Sequence, residues 1–305
     1  MDRTKLIIIL GPTATGKSRL AVELASAFNG EIIGADSMQV YRRMDIGTAK
    51  PTKDERQMAP HHMIDVVEPD GEYCAASYAR DAALKIMEIS SRGKTPFVVG
   101  GTGLYIRALV HGICEAPASD MDLRKRLVLE ARTSGRAALH GRLGRVDPEA
   151  ARAIHPNNLA RVVRALEVYE LTGRPISRHW GAHGFSSTPY LTLKIGLMKD
   201  RQELYRDIEA RVDGMVRDGL VEETRALLDS GCAAGSKPML ALGYKEIAGY
   251  LGGRYTLEEA AGLLKMNTRR YAKRQITWFK KEPDIRWFHP GQKNGIIDCV
   301  RGFID

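Results

Sequence analysis

Paired cysteines, long apolar runs and internal repeats are all missing from this 305-residue chain. Its four cysteines, Cys74, Cys114, Cys232 and Cys299, are scattered with no C-x-x-C pair. That spacing supports neither a disulfide framework nor a cysteine zinc site, and reduced thiols are expected. His61 and His62 have no third ligand at metal spacing, so both read as structural residues. No apolar stretch approaches transmembrane length, and no signal peptide precedes the first predicted strand. A cytoplasmic protein with no membrane partner is therefore expected. Hydrophobic content is 44%, ordinary for a globular protein of one large domain or two smaller ones.

Acidic residues are also missing from one place. Lys265 to Lys281 holds seven Lys/Arg and no Asp/Glu, and Asp120 to Trp180 holds 12 against 7. The chain's net charge is +9, so these two segments carry more than the whole excess. Local excess of this kind suits a polyanion larger than a nucleotide. A pair of solvated helix faces is the plainer alternative.

The stretch Gly11-Pro12-Thr13-Ala14-Thr15-Gly16-Lys17-Ser18 fits G-x-x-x-x-G-K-[ST], the phosphate-cradling P-loop. Leu6 to Leu10 before it has strand length. Arg19 to Phe28 after it has a helical apolar face through Leu20, Leu24, Ala27 and Phe28. Backbone N–H groups and the helix dipole then converge on one spot. Lys17 can reach terminal phosphate oxygens and Ser18 can hold Mg²⁺. The loop reads phosphate and leaves open what is attached to it.

Further strands are predicted at Glu31–Ala35, His62–Val67, Pro96–Val99, Tyr190–Met198 and Arg286–Phe288, and helices at Ala75–Ser90, Arg201–Arg217, Val221–Leu228 and Leu257–Lys281. Strand–helix alternation predicts an α/β fold, a P-loop-type parallel sheet with helices on both faces. Between Asp120 and Gly184 no strand is expected, and helices run from Asp120 to Arg132, Pro148 to Ala153 and Asn158 to Leu171. The predicted organisation is a core of residues 1–114 and 189–305, with an all-helical insertion over 115–188.

Asp36 ends the second strand. A carboxylate beside a phosphate cradle can hold Mg²⁺ through water or take a substrate proton; capping a helix is the simpler duty. The strand Phe97–Val99 ends in Gly-Gly-Thr-Gly with no acid, which counts against nucleotide hydrolysis by a positioned water. Thr102 brings a hydroxyl to the same strand ends, or merely sits in a turn. Arg211 can neutralise phosphate, or be a solvated helix arginine. Arg269 to Lys280 interleaves basic residues with Tyr271, Trp278 and Phe279, which suits phosphate contact and base stacking as well as an amphipathic helix. A P-loop small-molecule kinase with bound ATP, and a non-catalytic RNA-binding P-loop protein, both use parts of this set.

Several motifs together resemble the bacterial tRNA dimethylallyltransferases, over nearly the whole chain. They are Gly11–Ser18, Asp36-Ser37-Met38-Gln39-Val40-Tyr41, Asp45–Pro51, Gly100–Tyr105, Arg164–Tyr169, Leu242-Gly243-Tyr244-Lys245 and Lys273–Phe279. The resemblance implies transfer of a dimethylallyl group from dimethylallyl diphosphate to N6 of adenosine 37, in tRNAs reading codons that start with U. It implies that Gly11, Pro12, Thr13, Ala14, Thr15, Gly16, Lys17 and Ser18 hold the donor's diphosphate, with Mg²⁺ on Ser18. Asp36 would be the base, Thr102 would lie near the leaving group's bridging oxygen, and Arg211 would steady the departing charge. It places tRNA contacts at Asp36, Ser37, Met38, Gln39, Thr102 and Arg124. Others fall at Ala160, Arg161, Val162, Val163 and Arg164, and at Leu240 to Lys245 with Gly243, Tyr244 and Lys245. The last fall at Lys273, Arg274, Gln275, Thr277, Trp278 and Lys280. Ala160 stands where many relatives carry glutamine, which puts a direct polar contact there in question. A monomer is expected.

Overall fold

The protein is described here from a computed structural model covering residues 3–112, 117, 119–183 and 189–305, with backbone alone for 181–183. The first half of the chain forms β1 (Thr4–Leu10), α1 (Lys17–Ala27), β2 (Gly30–Gly34), α2 (Lys53–Met58), β3 (His61–His62), α3 (Ala75–Ser91), β4 (Thr95–Gly100) and α4 (Gly103–His111). Five helices follow: α5 (Met121–Thr133), α6 (Arg136–Val146), α7 (Pro148–Ala153), α8 (Leu159–Thr172) and α9 (Ile176–His183). The chain then forms β5 (Tyr190–Leu197), α10 (Arg201–Arg217), α11 (Leu220–Asp229), α12 (Tyr244–Leu251), α13 (Leu257–Phe279), β6 (Ile285–Phe288) and α14 (Lys293–Ile304). Two compact units result, residues 1–110 with 188–305, and residues 111–187.

In the larger unit six parallel strands run in the order β3-β2-β4-β1-β5-β6. The central strands are apolar throughout because both faces are covered. Ile7, Ile9, Ile32, Phe97, Val99 and Ile195 point to one face and pack with Leu20 and Leu24 of α1 and Ile296 and Val300 of α14. By strand alternation Leu6, Ile8, Ile33 and Val98 point the other way. They are buried too, on the face where α3 packs over β2 and β4. Each such side chain contributes roughly 1.5–3 kcal/mol by leaving water. The register pairs Leu10 with Gly100 and Gly34 with Val99, so three adjacent strands end level. Ligands of open parallel sheets bind beyond those ends.

The third strand is shorter than the expected His62–Val67. It closes after His62 because Met63 and Asp65 take positive φ, 63° and 55°. Asp65 is drawn instead to the buried Lys50, whose Nζ lies 2.6 Å from its carboxylate and also donates to the Tyr41 carbonyl. Only an isolated bridge from Val67 to Tyr41 remains of the expected strand. His61 and His62 are structural, bonding the Ala59 carbonyl at 2.8 Å and the buried Glu31 carboxylate at 2.6 Å.

The smaller unit buries Leu123, Leu127, Leu139, Leu143, Val162, Val163, Leu166 and Val168 in its own core. Asp120 caps α5 by accepting from Asp122 N and Leu123 N. α8 stops at Gly173, whose φ of 67° suits a helix terminus. α6 escapes a periodicity reading because only Leu139 and Leu143 are buried on it and two glycines interrupt it.

Candidate active site

The P-loop joins β1 to α1. Ala14 (φ 64°) and Gly16 (φ 81°) both turn left-handed, and the Thr15 hydroxyl ties back to the Pro12 carbonyl at 2.8 Å. Lys17 Nζ donates to that same carbonyl at 2.6 Å. Burial and the Arg211 guanidinium push the Lys17 ammonium down to about 7, against the opposing pull of Asp36. Arg211 is lowered as well, by burial, with Asp36 again opposing. Two cations held below their ordinary range mark a place that an anion would stabilise.

Asp36 follows β2. Its Oδ1 accepts from Met38 N at 2.8 Å and Gln39 N at 3.3 Å, so the carboxylate caps a turn and its orientation is fixed. No hydrogen bond among the described residues engages Oδ2. Ser37 N donates to Thr102 Oγ1 at 3.0 Å, and Thr102 N to the Ala35 carbonyl at 3.1 Å, joining the ends of β2 and β4. A cavity of about 500 Å³ within the larger unit is lined by Thr13, Asp36, Ser37, Met38, Arg211, Tyr271 and Arg274. Val212, Met215, Leu240, Leu242 and Leu264 also line it, together with Lys237, Lys245 and Glu246. Charged and hydrocarbon groups thus share the lining of one cavity.

α13 closes this arrangement. Gln275, buried, accepts from Thr13 N at 2.9 Å and donates to the Gly101 carbonyl at 2.9 Å, bridging the P-loop to the end of β4. A Cβ at Gly101 would press on the end of the Gln275 side chain, and one at Gly103 on the Trp278 indole, so both glycines leave room for these α13 side chains. Of the basic residues on this helix, Lys265 pairs with Asp213 and Arg269 with Glu209. No ion pair among the described residues takes up Arg270, Lys273, Arg274, Lys280 or Lys281. Lys273, Arg274, Thr277 and Lys280 are exposed, with Arg274 over the Tyr271 ring at 5.7 Å.

The remaining predicted residues divide by burial. Ser37, Met38, Gln39 and Lys245 are at least partly open, as are Ala160 and Arg161 on α8. Val162 and Val163 lie in the helical core, and Tyr244 is fully buried with its hydroxyl 2.6 Å from Glu223. With Gln275, these four side chains are not available to a partner; they hold neighbouring residues in place. Glu223 was not singled out in the sequence. Its carboxylate accepts from Asp45 N, Ile46 N and Gly47 N, and so fixes the loop that brings Gly47 and Thr48 to the cavity.

A family model described as IPP transferase matches residues 39–282. The chain belongs to the IPP transferase family. It is 55% identical over 286 residues to tRNA dimethylallyltransferase 2 of Geotalea uraniireducens, covering 94% of this chain and 92% of that one. It is 50% identical over 303 residues to the tRNA dimethylallyltransferase of Geobacter metallireducens, covering 99% and 98%. Among solved structures, the tRNA isopentenylpyrophosphate transferase of Bacillus halodurans matches with TM-score 0.73 and 44% identity, covering 99% and 97%. A eukaryotic dimethylallyltransferase acting on tRNA matches with TM-score 0.84 and 30% identity, covering 99% of this chain and 79% of that one.

The state of Lys17 gives a pH prediction. Near pH 7 the free ammonium is partly deprotonated. A bound diphosphate stabilises the charged form and raises its pKa, so binding takes up a proton above pH 7. Affinity for inorganic diphosphate should fall as pH rises from 7 to 9, by up to about tenfold per pH unit beyond the contribution of the ligand's own titration. Calorimetry in two buffers of different ionisation enthalpy measures the uptake, and Lys17→Ala supplies the ligand-only baseline. Equal uptake in both proteins would mean that Lys17 keeps its proton throughout.

Proposed function

We propose that the chain transfers a dimethylallyl group from dimethylallyl diphosphate to N6 of the adenosine 3′ of the anticodon, tRNA position 37, releasing diphosphate. The observation that carries this reading is the meeting of Asp36, Arg211 and the P-loop residue Thr13 around one cavity whose lining also includes several aliphatic side chains. The donor's diphosphate lies on the P-loop, within reach of Lys17 and Arg211. Asp36 Oδ2 takes one proton from N6 while the N6 lone pair forms a bond to C1 of the allyl group. The C1–O bond breaks, and its electron pair leaves on diphosphate. Lys17 and Arg211 act on that developing charge, where fixed cations are worth most. To reach Asp36 the adenine must leave its stack.

Ser18 is exposed at the first turn of α1, and a hydroxyl beside phosphate oxygens is the hard-oxygen donor set that Mg²⁺ prefers. Ser18 would hold Mg²⁺ there, and the ion would add positive charge to the leaving group. The tRNA would be held by the open residues of α13 and by basic residues of the helical unit.

Neutralising Lys273 and Arg274 together should weaken tRNA binding. It should also flatten the salt dependence by about one to two units of slope, roughly one per lost phosphate contact. Donor affinity should hold when Lys273 alone is neutralised, since Arg274 also lines the cavity. Filter binding across a salt series checks this, and an unaltered slope would leave that helix face to solvent. The activity itself is tested by mass analysis of nucleosides from tRNA of cells with and without the gene. Adenosine 37 should lose one dimethylallyl group in the deletion; an unchanged nucleoside profile would overturn the reading.

A further inference from the structure

The helical unit contains a buried carboxylate that the chemistry above does not use. Glu167 on α8 has no exposed side-chain surface. Its Oε1 accepts from Arg124 Nε at 2.9 Å and Asp120 N at 2.8 Å. Its Oε2 accepts from Arg124 Nη2 at 3.0 Å and Arg164 Nη1 at 2.5 Å. Arg164 Nη2 goes on to the Pro117 carbonyl at 2.7 Å. Burial disfavours the charged Glu167, but hydrogen bonds from Arg124 and Arg164 prevail and hold its carboxyl below the ordinary range.

The two arginines are not consumed by this contact. Their side chains are 36% and 29% exposed. A guanidinium has five N–H donors, and among the described residues each of these uses two. The fork-to-fork geometry on Arg124 removes the rotamer freedom an exposed arginine normally keeps. The group of three carries one net positive charge, in a unit already rich in Lys/Arg.

We propose that Glu167 is a positioning residue: it sets Arg124 and Arg164 as a two-guanidinium clamp for one backbone phosphate of the tRNA. This rests on the tRNA reading above. A phosphodiester suits two planar forks held at fixed spacing, where scattered lysines would offer only point charges.

The test exploits a conflict of sign. Glu167→Gln keeps the side chain's size and adds one positive charge to the unit. If charge alone governed, the variant would bind tRNA more tightly. If Glu167 positions the clamp, an amide N–H now faces arginine donors, one guanidinium swings away, and binding weakens. The expected result is a tRNA dissociation constant and KM raised about tenfold, the scale of a misplaced charge-assisted hydrogen bond. kcat and donor KM should be unchanged, with all measurements made below the variant's thermal midpoint.

The double variant Arg124→Lys with Arg164→Lys keeps both charges but loses the forks, and it should show the same rise. A folded Glu167→Gln protein binding tRNA as tightly as wild type, or more tightly, would overturn the proposal. So would a Lys pair indistinguishable from wild type, and that comparison decides alone if Glu167→Gln does not fold. Failure of the tRNA reading is visible separately, since the unmodified protein would then bind no tRNA.

Discussion

Asp36→Asn should lower the single-turnover rate by about 10²–10⁴-fold, the usual contribution of a positioned proton acceptor. Adenine N6 is conjugated with its ring, and its lone pair is a weak nucleophile until a proton leaves. The structure makes asparagine a discriminating replacement. Asp36 Oδ1 accepts from Met38 N and Gln39 N, and an asparagine carbonyl can accept both. The turn should therefore survive, while the group at the Oδ2 position becomes a donor and cannot take a proton. Dissociation constants for tRNA and donor should move less than about tenfold, or 1.4 kcal/mol. If Asp36 instead organises Mg²⁺, donor binding should weaken and excess Mg²⁺ should partly restore the rate. If it only caps the turn, alanine should lower thermal stability and asparagine should not, with turnover intact in both. A near-normal chemical step in the asparagine variant would end the general-base assignment.

Lys17→Ala should cost about 10²–10³-fold in turnover, the scale of removing one preorganised charge-stabilising group. The fold should persist, because among the described residues the Lys17 ammonium bonds the Pro12 carbonyl alone and Lys17 is not among the buried core side chains. tRNA affinity should persist too, since the basic residues proposed to hold tRNA lie elsewhere, on α13 and in the helical unit. The loss should fall on kcat more than on donor affinity, because negative charge on the diphosphate grows as the C1–O bond breaks. Steady-state kinetics with a melting curve measure both. A normal rate would remove the P-loop from the mechanism.

What the sequence made legible was local. The P-loop, the strand before it and the helix after it are written in consecutive residues, and α7 and α10 begin and end where periodicity and caps place them. Asp36, Thr102 and the P-loop could be grouped because each ends a strand of one parallel sheet. What escaped depends on partners distant in sequence. The third strand fails because Lys50 claims Asp65. Gln275 reads as a ligand contact in a basic–aromatic run, yet it is buried and turns inward to the glycine at 101. Glu167 and Glu223 sit in helices where a glutamate ordinarily faces water, and only the fold shows each gathering several N–H groups. No periodicity distinguishes a buried carboxylate from a solvated one.

In the proposed reaction the P-loop presents a prenyl diphosphate to tRNA. Its most direct test incubates the purified chain with Mg²⁺, unmodified tRNA, and dimethylallyl diphosphate labelled in the allyl group, with γ-labelled ATP in a parallel reaction. Nucleosides are then separated by mass. Allyl label should appear on N6 of one adenosine per tRNA, with equimolar diphosphate release and no label transferred from ATP. Phosphate transfer from ATP, with no allyl label on tRNA, would contradict the proposed reaction.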